Sequence, residues 1–374
     1  MHTWRMVYYA RGPVLVESVR MHVDFLETIV SCWLLVEGKC VGGTYTSSVT
    51  LELLFELCGF VIGLLFGSFL NVCISRLPAH ESIVKPRSHC MACGHEIRWY
   101  DYLPVLSWLL LRARCRDCKA TISWRYPAVE FAVGIWFAIA VSSALRLLEL
   151  LNLWLSTTTP ARRSSHPDLV GPLTSAGFVS LVGFAILGFL LIGLMVMDWQ
   201  TQRLPDAFTL TGIGIGFALT CVQAYFLAQG EGDIVLNTTH QLRLSSPGSI
   251  ASQGNIFMTG TEALIMGRIA AIAGSALILL AVRWGYKALR KRDGMGLGDV
   301  KLLAMIAAFM GFWEALLALF AAVLAASVYG ILLIARRRAS GNSKLPLGSF
   351  LAAGGLFAAL FGASIVSWYA ALLR

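Results

Sequence analysis

The sequence predicts an all-α polytopic membrane protein, with about eight transmembrane helices and one cysteine-bearing loop on the cytoplasmic side. Three observations carry that prediction. Of 374 residues, 57% are apolar and 14% charged, and the mean hydropathy is +0.70, outside the range of soluble globular chains. Several apolar runs have a length of about 20 residues, enough to span a bilayer. The formal net charge of +9 is gathered into a few loops, as in cytoplasmic loops of membrane proteins. That distribution points to membrane lipid as the surroundings and away from nucleic acid as a partner.

Residues 1–50 mix Arg5, Arg11 and Arg20 with Glu17, Asp24 and Glu27, and read as a poorly defined extension. The apolar run at 25–36 is too short to span, and it lacks a small-residue cleavage site, so no signal peptide is expected. The first membrane helix is placed at 51–74. Gly63 and Gly67, four apart, permit close approach of another helix. Asn71, polar and near the helix end, either caps, packs between helices or touches substrate. Arg76-Leu77-Pro78 stops the helix.

A polar loop follows at 75–125, with nine Lys and Arg against Glu81, Glu96, Asp101 and Asp117. This surplus marks the cytoplasmic side. Cys90-x-x-Cys93 and Cys115-x-x-Cys118 lie within it, 21 residues apart. Two such knuckles supply four thiolates in a tetrahedron, the chemistry of a closed, structural zinc site in a reducing compartment. A redox pair or unused thiols is the other reading. His89 and His95 flank the first knuckle and read as bystanders, because four cysteines suffice.

Residues 126–374 read as a seven-helix membrane domain. The segment 126–148 goes outward, and 151–174, with Pro160, Pro167 and Pro172, is an outer loop. The run at 178–197 returns and delivers Asp198 to the cytoplasmic face. The run at 207–228 goes out, and 230–262, with Arg243 as its only Lys or Arg, stays outside. The run at 263–282 comes back to Arg283, Lys287, Arg290, Lys291 and Arg292. The stretch 300–335 is too long for one span and breaks near Gly311, giving two helices that end inside at Arg336-Arg337-Arg338. The last helix is 347–373. Charge bias alone therefore places Asp198 and Asp299 on one face and both chain ends on the other.

These two acids occupy matching places. Asp198 ends an apolar run and is followed by Leu204-Pro205-Asp206. Asp299 lies in Gly294-Met295-Gly296-Leu297-Gly298-Asp299-Val300-Lys301, at the mouth of a hydrophobic helix, where a carboxylate is costly. Gly296 and Gly298 let the backbone approach a neighbour closely or stay unwound. Two carboxylates at one depth can share a proton and activate a water, which is aspartic-protease chemistry. The plainer reading leaves each acid in the headgroup zone. Asp206 is either structural or orients Asp198. Lys301 tunes a carboxylate, contacts the substrate backbone or snorkels to the interface. A proton-coupled transporter using Asp198 and Asp299 as a relay is the alternative function. It leaves the knuckle loop unexplained, and no repeated half supports it.

Several motifs together resemble the bacterial prepilin leader peptidases. They are Gly67-Ser68-Phe69-Leu70-Asn71-Val72, the two Cys-x-x-Cys pairs, Trp99-Tyr100-Asp101 leading to Pro104-Val105-Leu106-Ser107-Trp108, and Ile122-Ser123-Trp124-Arg125-Tyr126-Pro127. To these add Asp198 with Leu204-Pro205-Asp206, and Gly296-Leu297-Gly298-Asp299-Val300-Lys301. The resemblance is close over 51–301 and extends to membrane proteases with a G-x-G-D signature. It implies an aspartic endopeptidase of the bacterial inner membrane that removes the basic leader from type IV prepilins and pseudopilins at the cytoplasmic face. Asp198 and Asp299 match the family's catalytic pair. It further implies methyl transfer from S-adenosylmethionine to the new N-terminus. No Gly-rich nucleotide loop follows a strand here, so the residues that hold this cofactor are not assigned. The extension, the 230–262 loop, Cys73 in place of an aliphatic residue and the lack of a proline in the first knuckle depart from the pattern. The particular prepilins and the oligomeric state are not legible.

Overall fold

A computed structural model describes residues 46–79, 81–84, 88–90, 92–98, 101, 103–157, 170–235, 261–291, 296–336 and 346–372. Most of the 1–50 extension, the centre of the two expected outer loops, Gly294, Met295 and the Arg337-Arg338 pair lie outside these residues. The helices are α1 (Thr46–Arg76), α2 (Leu106–Leu110), α3 (Arg125–Thr157), α4 (Val170–Thr201) and α5 (Asp206–Val235). They continue with α6 (Thr261–Arg290), α7 (Leu297–Met310), α8 (Phe312–Ala335) and α9 (Leu347–Leu372). A 3-10 turn, Leu77–Ala79, closes α1 at the predicted Pro78 stop. Among the described residues no strand forms, and two isolated bridges are the only β pairing.

All eight expected membrane helices are present. Seven are long and apolar enough to cross a membrane: α1, α3, α4, α5, α6, α8 and α9. The eighth, α7, has only 14 residues, about 21 Å of helix against a hydrocarbon core of about 30 Å. Several boundaries need correction. The segment expected as an outer loop at 151–174 is helical at both ends, because α3 runs to Thr157 and α4 begins at Val170. Pro172 falls in the first turn of α4, where its missing N–H has no intrahelical partner to lose. The 230–262 loop is shortened likewise by α5 and α6. Beyond the predicted end at 282, α6 continues for two turns, so Arg283, Lys287 and Arg290 lie on a helix rather than in a loop.

At the centre stands α7, packed against α4, α5, α6, α8 and α9, and nine of its 14 residues are buried. Leu302, Leu303, Met305 and Ile306 form the core with Leu187, Leu191 and Leu194 of α4 and Leu351 of α9. Outside this ring, α1 and α3 pack on each other and on α4. The predicted small-residue seam lies between them: a Cβ on Gly67 would stand 2.6 Å from Cα of Glu130, and one on Gly63 2.7 Å from O of Val133. The break near 311 is real. Gly311 turns the chain at φ +111°, a conformation open to glycine and strained for other residues. The Arg268 guanidinium donates to O of Ala307 at 3.3 Å, on the last turn of α7.

Candidate active site

Asp299 is the third residue of α7, after the N-cap Gly296. Its carboxylate turns back to the backbone amide of Gly296, the geometry by which an acidic N3 side chain satisfies an orphan N–H. Asp198 stands three residues from the end of α4. A helix C-terminus disfavours an anion, and the sequence compensates with a second helix. Asp198 Oδ2 accepts the Ser349 backbone N–H at 2.6 Å and lies 3.0 Å from the Ser349 hydroxyl. Ser349 is the third residue of α9, so Asp198 caps α9 from α4. Each acid therefore occupies the positive end of a helix, one at α7 and one at α9.

The structure brings both acids to one place. They are 5% and 9% exposed, and Asp299 feels the Asp198 charge. Leu204 packs against the glycines next to them in α7 and α9, with a Cβ on Gly298 or on Gly348 only 3.0 Å from its side chain. A Cβ on Gly348 would also stand 2.9 Å from Cγ of Asp198, so glycine at that position leaves room for the carboxylate. Leu204 thus packs against the first turns of both α7 and α9. Asp206 faces elsewhere: it opens α5 and binds Lys301 Nζ at 2.7 Å, tying α5 to the first turns of α7. Beside the acids, Trp199, Tyr329 and Phe350 meet at tilted and edge-on angles from three helices, with centroids 5.4–6.5 Å apart.

The knuckle loop forms a second site. The four thiol sulfurs lie within 4.8 Å of one another, and Cys90 and Cys118 are 3.8 Å apart. A tetrahedron with metal–sulfur bonds of about 2.3 Å has edges of about 3.8 Å, so this donor set fits a metal ion such as zinc. His89 and His95 stay out of the cluster. The two knuckles share one backbone design. Cys90 N–H bonds O of His95, and Cys115 N–H bonds O of Ala120. Bridges His89–Glu96 and Arg114–Thr121 flank them. Gly94 and Lys119, each following a second cysteine, both take positive φ. The backbone amides of Ala92 and Cys93 hold the Cys90 thiol down to about 6. Arg116 grips Asp101 through two bonds of 2.7 and 3.0 Å and holds that carboxyl below its usual range.

Asn71 belongs to a third cluster, away from the acids. Its amide donates to O of Tyr126 at 3.0 Å and to Oε1 of Glu130 at 3.4 Å. Glu130, buried within α3, also accepts the Val105 N–H at 2.7 Å. It pins the loop to the α1–α3 pair at Val105, whose φ of 57° is otherwise unfavourable. Glu130 and Ser349 were missed from the sequence. An acid within an apolar run is a readable signal for Glu130, whereas a lone serine in an apolar helix gives none.

Two family profiles match the chain: the Bacterial Peptidase A24 N-terminal domain over residues 61–144, and the Type IV leader peptidase family over residues 247–331. The first takes in the knuckle loop and the second contains Asp299; Asp198 lies between them. The prepilin leader peptidase/N-methyltransferase of Burkholderia pseudomallei (strain 1026b) is 33% identical over 329 residues, 81% of this chain and 84% of the relative. Proteins of the same name from Aeromonas salmonicida (strain A449) and Pseudomonas aeruginosa are each 30% identical, over 83% and 85% of this chain and 92% and 94% of their own lengths. No solved structure matches.

Proposed function

The chain belongs to the type IV leader peptidase family, and from that premise we propose that Asp198 and Asp299 are the catalytic pair of a prepilin leader peptidase. The protein is a multi-pass membrane enzyme that removes the leader from prepilins and methylates the new N-terminus. One observation carries the assignment of the pair: two buried carboxylates, far apart in sequence, meet at the N-termini of two helices. Two carboxylates that feel each other's charge do not both ionise readily, so one holds a proton. The ionised member takes a proton from a water as it attacks the scissile carbonyl, while the protonated member hydrogen-bonds the carbonyl oxygen. The amides at the two helix N-termini oppose the negative charge that accumulates.

The knuckle loop at 75–125 is assigned a structural zinc held by Cys90, Cys93, Cys115 and Cys118. Such an ion cross-links the loop and takes no part in the cut. The membrane domain at 126–374 carries the peptidase pair. Asp206 and Lys301 are assigned to holding α7 in place. We place the acids on the cytoplasmic side of the inner membrane, because Arg203, Lys287, Arg290 and Arg336 gather at the same helix ends. The substrates are prepilins and pseudopilins with basic leaders in the cytoplasm. The methyl donor is S-adenosylmethionine, which supplies an electrophilic methyl group to an amine. Exchange of either acid for asparagine keeps its volume and removes the base or the shared proton. Asp198→Asn and Asp299→Asn should each abolish leader release from a prepilin peptide, with both proteins still inserted. Leader release by either purified variant at an appreciable rate would defeat the pair mechanism.

A further inference from the structure

We propose that the crevice between the ends of α1 and α4 and the start of α3 is the binding site for the methyl donor. The inference rests on the methyltransferase reading above and gives it a place. Two cavities of 390 and 160 Å³ open there and share Ile74, Ser75 and Gln200. Together they reach the size of small-molecule sites, about 300–1,000 Å³. Ile74, Val129 and Val196 supply apolar walls, and Tyr126 adds an aromatic ring. Asn71 and Gln200 bring amides that can bond a base edge or a ribose hydroxyl. Asn71 already spends its N–H groups on Tyr126 and Glu130, which leaves its carbonyl oxygen as the acceptor for a ligand. Arg125 and Arg203 stand at the walls. Guanidinium groups suit the carboxylate of an amino-acid moiety.

The position suits the chemistry. Val196 and Gln200 are one turn apart on α4, and Asp198, between them, faces the opposite way, onto α9. Crevice and Asp198 therefore sit on opposite faces of one helix about 10–12 Å across. Thr201 and Arg203 carry the crevice around the end of α4, and a freshly cut N-terminus has only that end to pass. There the lone pair of the amine forms the new N–C bond and the C–S bond breaks. The sulfur keeps the electron pair as a neutral thioether, and the ammonium releases one proton to water.

Isothermal titration of S-adenosylmethionine into the full-length purified protein reads the site directly. Wild type should bind at one site per chain. Gln200→Leu removes an amide from the α4 wall, and Ser75→Trp fills the space from the α1 wall. Each should weaken binding by about tenfold or more, roughly the loss of a ligand hydrogen bond or of the room for it. Each should retain leader cleavage, which certifies the fold. A variant that loses cleavage is replaced by Thr201→Leu. Wild-type affinity in the variants overturns the crevice and leaves the methyltransferase reading standing. Wild type that neither binds the cofactor nor methylates a pre-cleaved pilin overturns that reading, and the crevice with it.

Discussion

Ser349 holds one hydroxyl proton between two acceptors. Its Oγ lies 3.0 Å from O of Met195 and 3.0 Å from Oδ2 of Asp198. When Asp198 is ionised, the hydroxyl can donate to it; when Asp198 is protonated, the hydroxyl can turn to Met195. The side chain thus follows the protonation state of the acid without moving the backbone. Ser349→Ala removes that response and keeps the backbone N–H bond. A hydrogen bond to a charged group is worth about 1.5–3 kcal/mol, so kcat for leader release should fall about 10–100-fold. KM should stay near its wild-type value, since no leader contact is lost. Steady-state kinetics on a prepilin peptide checks it; an unchanged kcat would remove Ser349 from the mechanism. The two acids were legible in the sequence because each interrupts or ends an apolar run. Ser349 was not, because the pairing spans 151 residues and serine is common where helices pack.

The knuckle loop and α7 illustrate opposite degrees of legibility among the elements. The knuckles are local: two Cys-x-x-Cys pairs fix their own turns, and the spacing predicts the cluster that forms. Elemental analysis should find about one zinc per chain. Cys115→Ser should lower that content and loosen the loop, because binding of a structural metal is coupled to folding. Reduced protein with no zinc would leave the redox reading. By contrast, the break that ends α7 was read from the length of the run and Gly311, but the side chains that satisfy it were hidden. Gly311 ends α7, and two charges that no local pattern announces lie against that end. A Cβ on Gly311 would stand 3.2 Å from Oε2 of Glu314 and 3.4 Å from Nη1 of Arg268. Arg268 satisfies a carbonyl at the end of α7 where little water reaches, and Glu314 balances it. Arg268→Met should leave the half-buried Glu314 without its neighbouring cation and destabilise the domain by about 1–3 kcal/mol. Arg268→Met with Glu314→Leu should recover much of that loss, since the double variant leaves no unpaired charge at the helix ends. Thermal unfolding of both in detergent measures it, and a double variant no better than the single one would exclude the pairing.

The whole molecule divides along α4. On one side, α5 to α9 close around α7 and present the acids; on the other, the α1–α3 pair carries the knuckle loop and faces the crevice. Charge bias and run length predicted the helices and the meeting of the acids on one face, but not this division, which depends on which face of α4 each neighbour covers. The consequence is that the two reactions should be separable. Methyl transfer activates no water and needs no carboxylate pair. In Asp299→Asn, the altered group lies on α7, whereas the crevice is lined from α1, α3 and α4 and the segments beside them. The volume at position 299 is preserved, so the ring should keep its packing and α4 its position. Purified Asp299→Asn should therefore fail to release the leader, yet bind S-adenosylmethionine and add one methyl to a pre-cleaved pilin with a free N-terminal amine. Mass spectrometry of that pilin reads the gain. If the variant stays folded, binds the cofactor and still leaves the pilin unmethylated, then the acids serve both reactions, and the amine reaches the methyl donor on the α9 side of α4 rather than behind it.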